Sequence, residues 1–259
     1  MNVTTGRRPV VLVTGGTGTL GTQVVRRLEH SGAEIRVLSR KQRPARDGLE
    51  YFVGDLESGG GVEAAVRGAG VIVHCASAPK GDAKATRRLV EIARRIDPLP
   101  HLAFISVVGV AGVRFGYFQE KLAAERVVTE SGLPWTLQRA TQFFDYLLNG
   151  SRSLARLPVI PVPKDFRVQP IDPGEVAGRL AELALQPPAG RVADIGGPEV
   201  STWAELTREY VQAIGARRHV VELWMPFTKE IRAGALLANG GSTPYGKTSW
   251  RDFLARKFG

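Results

Sequence analysis

Over the first 140 residues the chain alternates short apolar, β-branched runs with longer amphipathic stretches. Val10, Val11, Leu12 and Val13 form the first run, and it passes directly into Thr14-Gly15-Gly16-Thr17-Gly18-Thr19-Leu20-Gly21. Leu20, Val24, Val25 and Leu28 then recur at helical spacing with charges between them, so the segment from Thr19 to His30 reads as a helix. Residues 33–39, 49–53, 71–75, 102–108 and 135–138 read as further strands, and residues 62–67, 82–96 and 118–130 as helices. Asp97-Pro98-Leu99-Pro100 stops the second of these helices, and Gly132 suits the C′ position after the third. Strands alternating with helices of this length build parallel βαβ units, which predicts an α/β fold with a doubly wound parallel sheet.

Past Asn149 the pattern changes. Leu157-Pro158-Val159-Ile160-Pro161-Val162-Pro163 carries too many prolines for a central strand. Asp172-Pro173-Gly174-Glu175 opens a helix to Leu185, with Asp172 as N-cap, Pro173 at N1 and Glu175 as capping-box partner. Residues 192–195 and 220–223 read as short strands. Residues 201–214, 228–237 and 250–257 read as helices, the first capped by Ser201, and residues 239–244 read as a loop. The expected organisation is a dinucleotide-binding domain over 1–150 and a small α/β cap over 151–259 that is not independent of it.

The turn after the first strand carries the strongest chemical signal. Gly16, Gly18 and Gly21 fit GxGxxG, and Gly15, Gly18 and Gly21 fit GxxGxxG. A glycine-rich turn between a strand and a helix start lets the backbone approach a pyrophosphate, while free amides and the helix dipole face the anion.

TGGTGTLG resembles the cofactor loop of the short-chain dehydrogenase/reductase superfamily, in its extended and atypical branches. The likeness extends over nearly the whole chain and points to the NmrA-like, NAD(P)H-binding branch. It implies a Rossmann fold in which Gly15, Thr17, Gly18, Thr19, Leu20 and Gly21 hold the dinucleotide. The second strand ends in Ser39-Arg40-Lys41, with Arg43 and Arg46 close behind. A carboxylate there would favour NAD(H); hydroxyl and guanidinium donors suit a 2′-phosphate, so NADP(H) is expected over NAD(H). Asp55-Leu56 resembles the family's pair at the adenine, and Ala76 and Ser77 are small, as backbone passing under a ribose requires. His74, inside the fourth strand, reads as a packed histidine.

Ser106 ends the fifth strand, and Tyr117 and Lys121 follow four residues apart on one helix face. This set resembles the superfamily's YxxxK pair with its upstream serine. A phenol titrates near pH ~10, and a neighbouring ammonium stabilises the phenolate. The resemblance makes Tyr117 the proton donor, Ser106 a second contact to the substrate oxygen, and Lys121 a contact to the nicotinamide ribose. The spacing from Ser106 to Tyr117 is shorter than in fully active reductases. Gly132-Leu133-Pro134-Trp135-Thr136-Leu137-Gln138-Arg139 resembles the family's GLPWTILR segment, after which Thr141, Gln142 and Phe143 are expected to line the substrate pocket. Phe144 fits pocket or core equally. The segment Gly190 to Glu199, with Trp203 and Leu206, resembles the part that carries the cap. The leading expectation is an NADP(H)-dependent oxidoreductase acting on a small carbonyl or quinone-like substrate. A dinucleotide-binding regulator or sensor without turnover is the alternative, and an epimerase or dehydratase a third reading that the short C-terminal third disfavours.

Composition narrows this further. The chain has 259 residues, 43% of them hydrophobic, and a formal net charge of +10. The basic residues are scattered and not interleaved with aromatics, so a basic enzyme with an anionic cofactor is expected and no nucleic-acid partner. A single cysteine, Cys75, excludes an internal disulfide framework and a Cys-rich metal site, and no metal is expected. No run approaches the ~20 apolar residues that span a bilayer, and no secretory h-region stands at the start, so a cytoplasmic protein is expected. The expected partner is a small-molecule substrate; a homodimer is left open, and the resemblance allows a regulatory protein partner.

Overall fold

The structure, a computed structural model, describes residues 8–114, 116–238 and 245–259. The loop read at 239–244 lies outside the described residues. The chain divides into two compact units, each considered by itself.

The first unit comprises the chain up to Ser106, Gln119–Gln138 and Ala177–Val192. Its elements in chain order begin with β1 (Val10–Thr14), α1 (Thr19–Glu29), β2 (Glu34–Ser39) and β3 (Leu49–Val53). There follow α2 (Val62–Val66), β4 (Val71–His74), α3 (Asp82–Ala93), β5 (His101–Val107), α4 (Tyr117–Thr129) and β6 (Trp135–Ala140). Seven strands form one sheet in the order β3-β2-β1-β4-β5-β6, closed by a short strand from the second half of the chain. β1 pairs in parallel with both β2 and β4, so the strand order reverses beside β1. In open α/β sheets that reversal opens a crevice at the carboxyl ends of the strands. The apolar runs read as strands because both faces are covered: on one face Leu12, Ile72, Leu102, Phe104 and Leu137 pack with Val62, Val66, Leu89, Ala124 and Val128 from the helices, and on the other Val11, Val13, Val73 and Ala103 are fully buried.

The second unit comprises Val107–Phe118, Arg139–Val176 and the chain from Ala193. Its first helix, α5 (Phe144–Leu154), was not expected from the sequence. Asn149, Gly150, Ser151 and Ser153 dilute its apolar pattern. The structure explains Gly150: a Cβ there would lie 2.8 Å from the Trp203 ring. Phe144 is fully buried, with its ring 5.7 Å from Trp250 and 5.0 Å from Phe253, so core packing is its role here.

The proline-rich stretch does form a strand, β7 (Val159–Pro163), but outside the main sheet. β8 (Arg167–Val168) follows, and then α6 (Pro173–Leu185). The expected capping box at α6 is not formed. Asp172 Oδ1 accepts from the Gly174 amide, but Glu175 Oε1 instead accepts from the amides of Lys247 and Thr248 and the Thr248 hydroxyl.

β9 (Gly190–Arg191) is the short seventh strand of the main sheet, pairing with β6. It replaces the strand expected at 192–195, of which Ile195 keeps a single bridge to Ala140. β10 (Ser201–Thr202) leads into α7 (Trp203–Ala213), and the cap is Thr202 rather than Ser201: Thr202 and Glu205 form a full capping box. β11 (His219–Leu223) pairs in parallel with β7. The helix expected over 228–237 is cut to α8 (Lys229–Arg232), since Gly234 at φ 93° leaves helical space. α9 (Trp250–Phe258) closes the chain with a second capping box, Ser249 and Asp252.

Trp250 is 2% exposed, stacks on Phe253 and donates its indole N–H to Leu206 O at 3.0 Å. Trp250→Ala removes the largest fully buried side chain among the described residues, together with its indole hydrogen bond. The expected loss is about 3–5 kcal/mol of stability, read from the urea midpoint.

Candidate functional site

The glycine turn between β1 and α1 is built by close backbone packing. Gly15 sits at φ 66°, and a Cβ there would lie 2.5 Å from Ala76 N. A Cβ on Gly16 would meet the Val37 side chain at 2.8 Å, and one on Gly21 would meet Gly15 O at 2.2 Å. These three glycines are therefore demanded by the protein's own atoms. Gly18 differs: a Cβ would touch only Gly15 O, at 3.3 Å, which a shift of a few tenths of an ångström relieves.

Thr17, Gly18 and Thr19 are the exposed tip of the turn, while Leu20 and Gly21 are buried. Gly18 is the N-cap of α1, with no side chain capping it and no acidic residue in the first turn. The first amides of the helix are thus left for an outside acceptor, and the dipole favours an anion.

Other expected cofactor residues stand on the same carboxyl edge of the sheet. Ser39 is buried and closes a turn, its hydroxyl donating to Lys41 O at 2.9 Å. Arg40 and Lys41 are exposed beyond it. The neighbouring cations are already engaged: Arg46 with Glu29, and Arg43 over the Tyr51 ring. Asp55 is half-buried and Oδ1 accepts from the Glu57 amide at 3.0 Å; Leu56 belongs to the core. Ala76 lies against Gly15, and Ser77 is exposed.

Behind this edge runs a buried polar chain that the sequence did not reveal. Thr86 donates its hydroxyl to Asp82 O at 2.8 Å, so it accepts from His74 Nε2–H at 3.0 Å. Nδ1 is then the acceptor, and it receives the Thr14 hydroxyl at 2.6 Å. Thr14 in turn accepts from the Ala76 amide at 3.4 Å. Burial, reinforced by the positive charge of Lys121, pushes the His74 pKa down from 6.5 to about 3. His74 is the packed histidine that was expected; it is kept neutral, and it also fixes the end of β1 beside the glycine turn.

Lys121 is 2% exposed on α4. Its Nζ donates to Ile105 O at 3.2 Å, lies 3.2 Å from Asp82 Oδ2, and sits 4.7 Å from the centre of the Phe104 ring. Asp82, the buried partner of that ammonium, is a residue that sequence reasoning passed over as a helix start. Its one sequence signal is a carboxylate in the first turn after Gly81. Ser106, at the end of β5, is 4% exposed, and its hydroxyl has no hydrogen-bond partner among the described residues. An orphaned buried hydroxyl is unusual and fits a group that is satisfied by a ligand.

Tyr117 and the expected pocket residues fall in the second unit. Tyr117 opens α4, is 36% exposed, and meets the Phe118 ring edge-on at 5.9 Å. Thr141 and Gln142 are buried with their side chains committed. The Thr141 hydroxyl donates to Gln169 O, and Gln142 Nε2 donates to Leu236 O at 3.1 Å while its Oε1 accepts from the Gln169 amide. Phe143 is the half-buried N-cap of α5.

The profile of the NAD(P)H-binding family matches residues 15–184, from the glycine turn through α6. The chain belongs to the NAD(P)H-binding family. Similar proteins include the (4-alkanoyl-5-oxo-2,5-dihydrofuran-3-yl)methyl phosphate reductase of Streptomyces griseus, 27% identical over 223 residues, 83% of this chain and 77% of that one. The NAD(P)H azoreductase of Xenophilus azovorans is 26% identical over 236 residues, 87% of this chain and 81% of that one. Among solved structures, the NADPH-dependent quinone oxidoreductase of Escherichia coli in complex with NADPH superposes with a TM-score of 0.80 at 17% identity, covering 96% of this chain and 100% of that one. The fold is thus the Rossmann-like fold of NAD(P)-binding proteins. Among the described residues no helix is long and apolar enough to cross a membrane, and no cluster of His, Cys, Asp or Glu could hold a metal ion.

Two measurements follow from this geometry. Gly21→Ala forces a clash inside the turn and lowers the melting temperature, whereas Gly18→Ala keeps wild-type stability and weakens dinucleotide binding in a fluorescence titration. Equal stability losses in the two variants would contradict this division. For His74, the folded value lies below the unfolded one, so its contribution is complete above pH 6.5 and is lost as the pH falls toward 3. Between pH 7 and 5.5 the wild type should lose about 1 kcal/mol more than His74→Asn in urea unfolding.

Proposed function

We propose that the protein is a cytoplasmic NADP(H)-dependent oxidoreductase that reduces a small carbonyl or quinone-like substrate. The observation that carries this reading is the glycine turn. Packing accounts for Gly15, Gly16 and Gly21 but not for Gly18, which lies exposed at an uncapped, carboxylate-free helix start. Such a position suits a pyrophosphate approaching the backbone closely. The reductases among the similar proteins support the reaction class, and the quinone oxidoreductase of matching fold supports the substrate class.

The preference for NADP(H) rests on the end of β2. No carboxylate stands there, and Arg46 and Arg43 are engaged elsewhere. Arg40 and Lys41 remain exposed beside Ser39 as the donors for a 2′-phosphate. Arg40→Ala should weaken NADPH binding about 10- to 100-fold, the worth of one charge-assisted contact, and leave NADH binding nearly unchanged. Equal effects on both nucleotides would remove the phosphate clamp.

A bound reduced nicotinamide supplies the hydride. This chain's part is to hold the substrate oxygen and deliver a proton to it. In this reading the Tyr117 phenol delivers the proton, the Ser106 hydroxyl donates its unused hydrogen bond to the same oxygen, and Lys121 gives a remaining N–H to the nicotinamide ribose. Thr141, Gln142 and Phe143 shape the substrate side, the first two through the backbone that their side chains pin. Tyr117→Phe should lower turnover by about 10²- to 10⁴-fold with NADPH affinity intact. Unchanged turnover on a quinone and carbonyl panel would exclude the role.

A further inference from the structure

We propose that Asp82 is the positioning residue for Lys121, holding its ammonium at the carboxyl end of β5 and tying it to the backbone that follows β4. The proposal rests on the reading of Lys121 as a cofactor contact, and it names the residue on which that contact depends.

The two side chains are 2% and 3% exposed, with Lys121 Nζ 3.2 Å from Asp82 Oδ2. Burying an ammonium without a counter-charge costs several kcal/mol, about what is lost when one partner of a buried pair is removed. The residue is itself fixed at three points. Its Oδ1 accepts from the Ala78 amide at 3.1 Å, its backbone carbonyl accepts from Thr86, and Gly81 at φ 78° sets the start of its helix. Through the Ala78 amide Asp82 therefore joins the segment of Ala76 and Ser77, expected under a ribose, to the lysine expected at the ribose.

The contact through Oδ2 lacks hydrogen-bond geometry, since that oxygen has no hydrogen-bond partner. The pair is thus held by charge. Of the three N–H donors on Lys121, one goes to Ile105 O, and Asp82 claims none of the others.

The charged and titratable groups around the pair sharpen its effect. From β4 and the residue after it come His74, kept neutral down to about pH 3, and Cys75, whose thiol burial pushes up to about 12 against the opposing pull of Lys121. Glu120, beside Lys121 on α4, points its Oε2 to the Ala83 amide at 3.5 Å. Glu125, a turn further along α4, is a second buried carboxylate. Neither His74 nor Cys75 changes charge between pH 6 and 9, and the carboxylate at ion-pair distance from Lys121 Nζ is Asp82, at 3.2 Å.

The test is a fluorescence titration with NADPH from pH 6 to 9 on wild type, D82N, K121M and D82N/K121M. Wild-type affinity should be flat across this range. D82N should bind about tenfold more weakly at pH 8 and worsen as the pH rises, because a buried ammonium without its counter-charge gives up its proton more readily. K121M should be weak and flat, and the double variant should match K121M at every pH. A D82N profile parallel to wild type overturns the proposal, as does a D82N loss of equal size in the K121M background. Where D82N does not fold, D82E keeps the charge one methylene further out: weaker binding with a flat profile supports positioning, and wild-type affinity overturns it. If K121M binds NADPH like wild type, the proposal falls while the glycine-turn reading stands. If the wild type binds no NADPH, the functional reading itself falls.

Discussion

Much of the first unit depends on how closely the backbone after β1 can be folded. Gly15 touches the chain after β4, Gly16 touches β2, and Gly21 touches Gly15, each at a distance that excludes a Cβ. That turn sets α1 against the sheet and brings the ends of β1 and β4 together where the strand order reverses. The same compactness leaves the tip, Thr17 to Thr19, exposed at an uncapped helix start, which is what an anion site there requires.

Polar groups behind the turn are buried but almost completely paired. Thr14, His74 and Thr86 form a single hydrogen-bonded chain with its donors and acceptors assigned by Thr86 alone. A neutral histidine fits this chain; a protonated one would put a second N–H against the Thr14 hydroxyl donor. The ammonium of Lys121 is the exception to neutrality, and it is answered by a carboxylate rather than by solvent. Among the described residues four buried side-chain atoms lack a hydrogen-bond partner, Asp82 Oδ2, Ser106 Oγ, Gln138 Oε1 and Glu175 Oε2, and the first two stand at the sheet's carboxyl edge. In the low-dielectric interior such groups are costly unless something meets them.

The second unit is held differently. Aromatic rings carry its core, with Phe144, Trp250 and Phe253 mutually in contact and Tyr210 beside Phe258. Its strands are short, and two of its sheets have only two strands each. Caps and side-chain anchors do the work that long ladders do in the first unit: Thr202 with Glu205, Ser249 with Asp252, and Glu175 holding the backbone at 247–248.

The amino-acid sequence by itself determined the alternation of strands and helices in the first unit, because a parallel sheet covered on both faces writes itself as uninterrupted apolar runs. It also determined the glycine turn, since Gly15 through Gly21 can satisfy only a tight strand-to-helix passage. It exposed the absence of a carboxylate at Ser39-Arg40-Lys41, which is a local property. Tertiary structure alone decided what involved partners far apart in the chain. Residues 144–154 are helical although Gly150 and two serines blur the period: Phe144, Leu147 and Leu148 are buried in the core, and Trp203 occupies the space a Cβ at Gly150 would need. Glu175 had the spacing of a capping box, but amides 72 and 73 residues away compete for its carboxylate and win. Asp82 looked like an ordinary helix start; only the fold brings it, 39 positions before Lys121 in the chain, within 3.2 Å of that buried ammonium. Periodicity records which face of an element is dry, whereas the identity of a buried charge's partner depends on which strand ends the fold sets side by side.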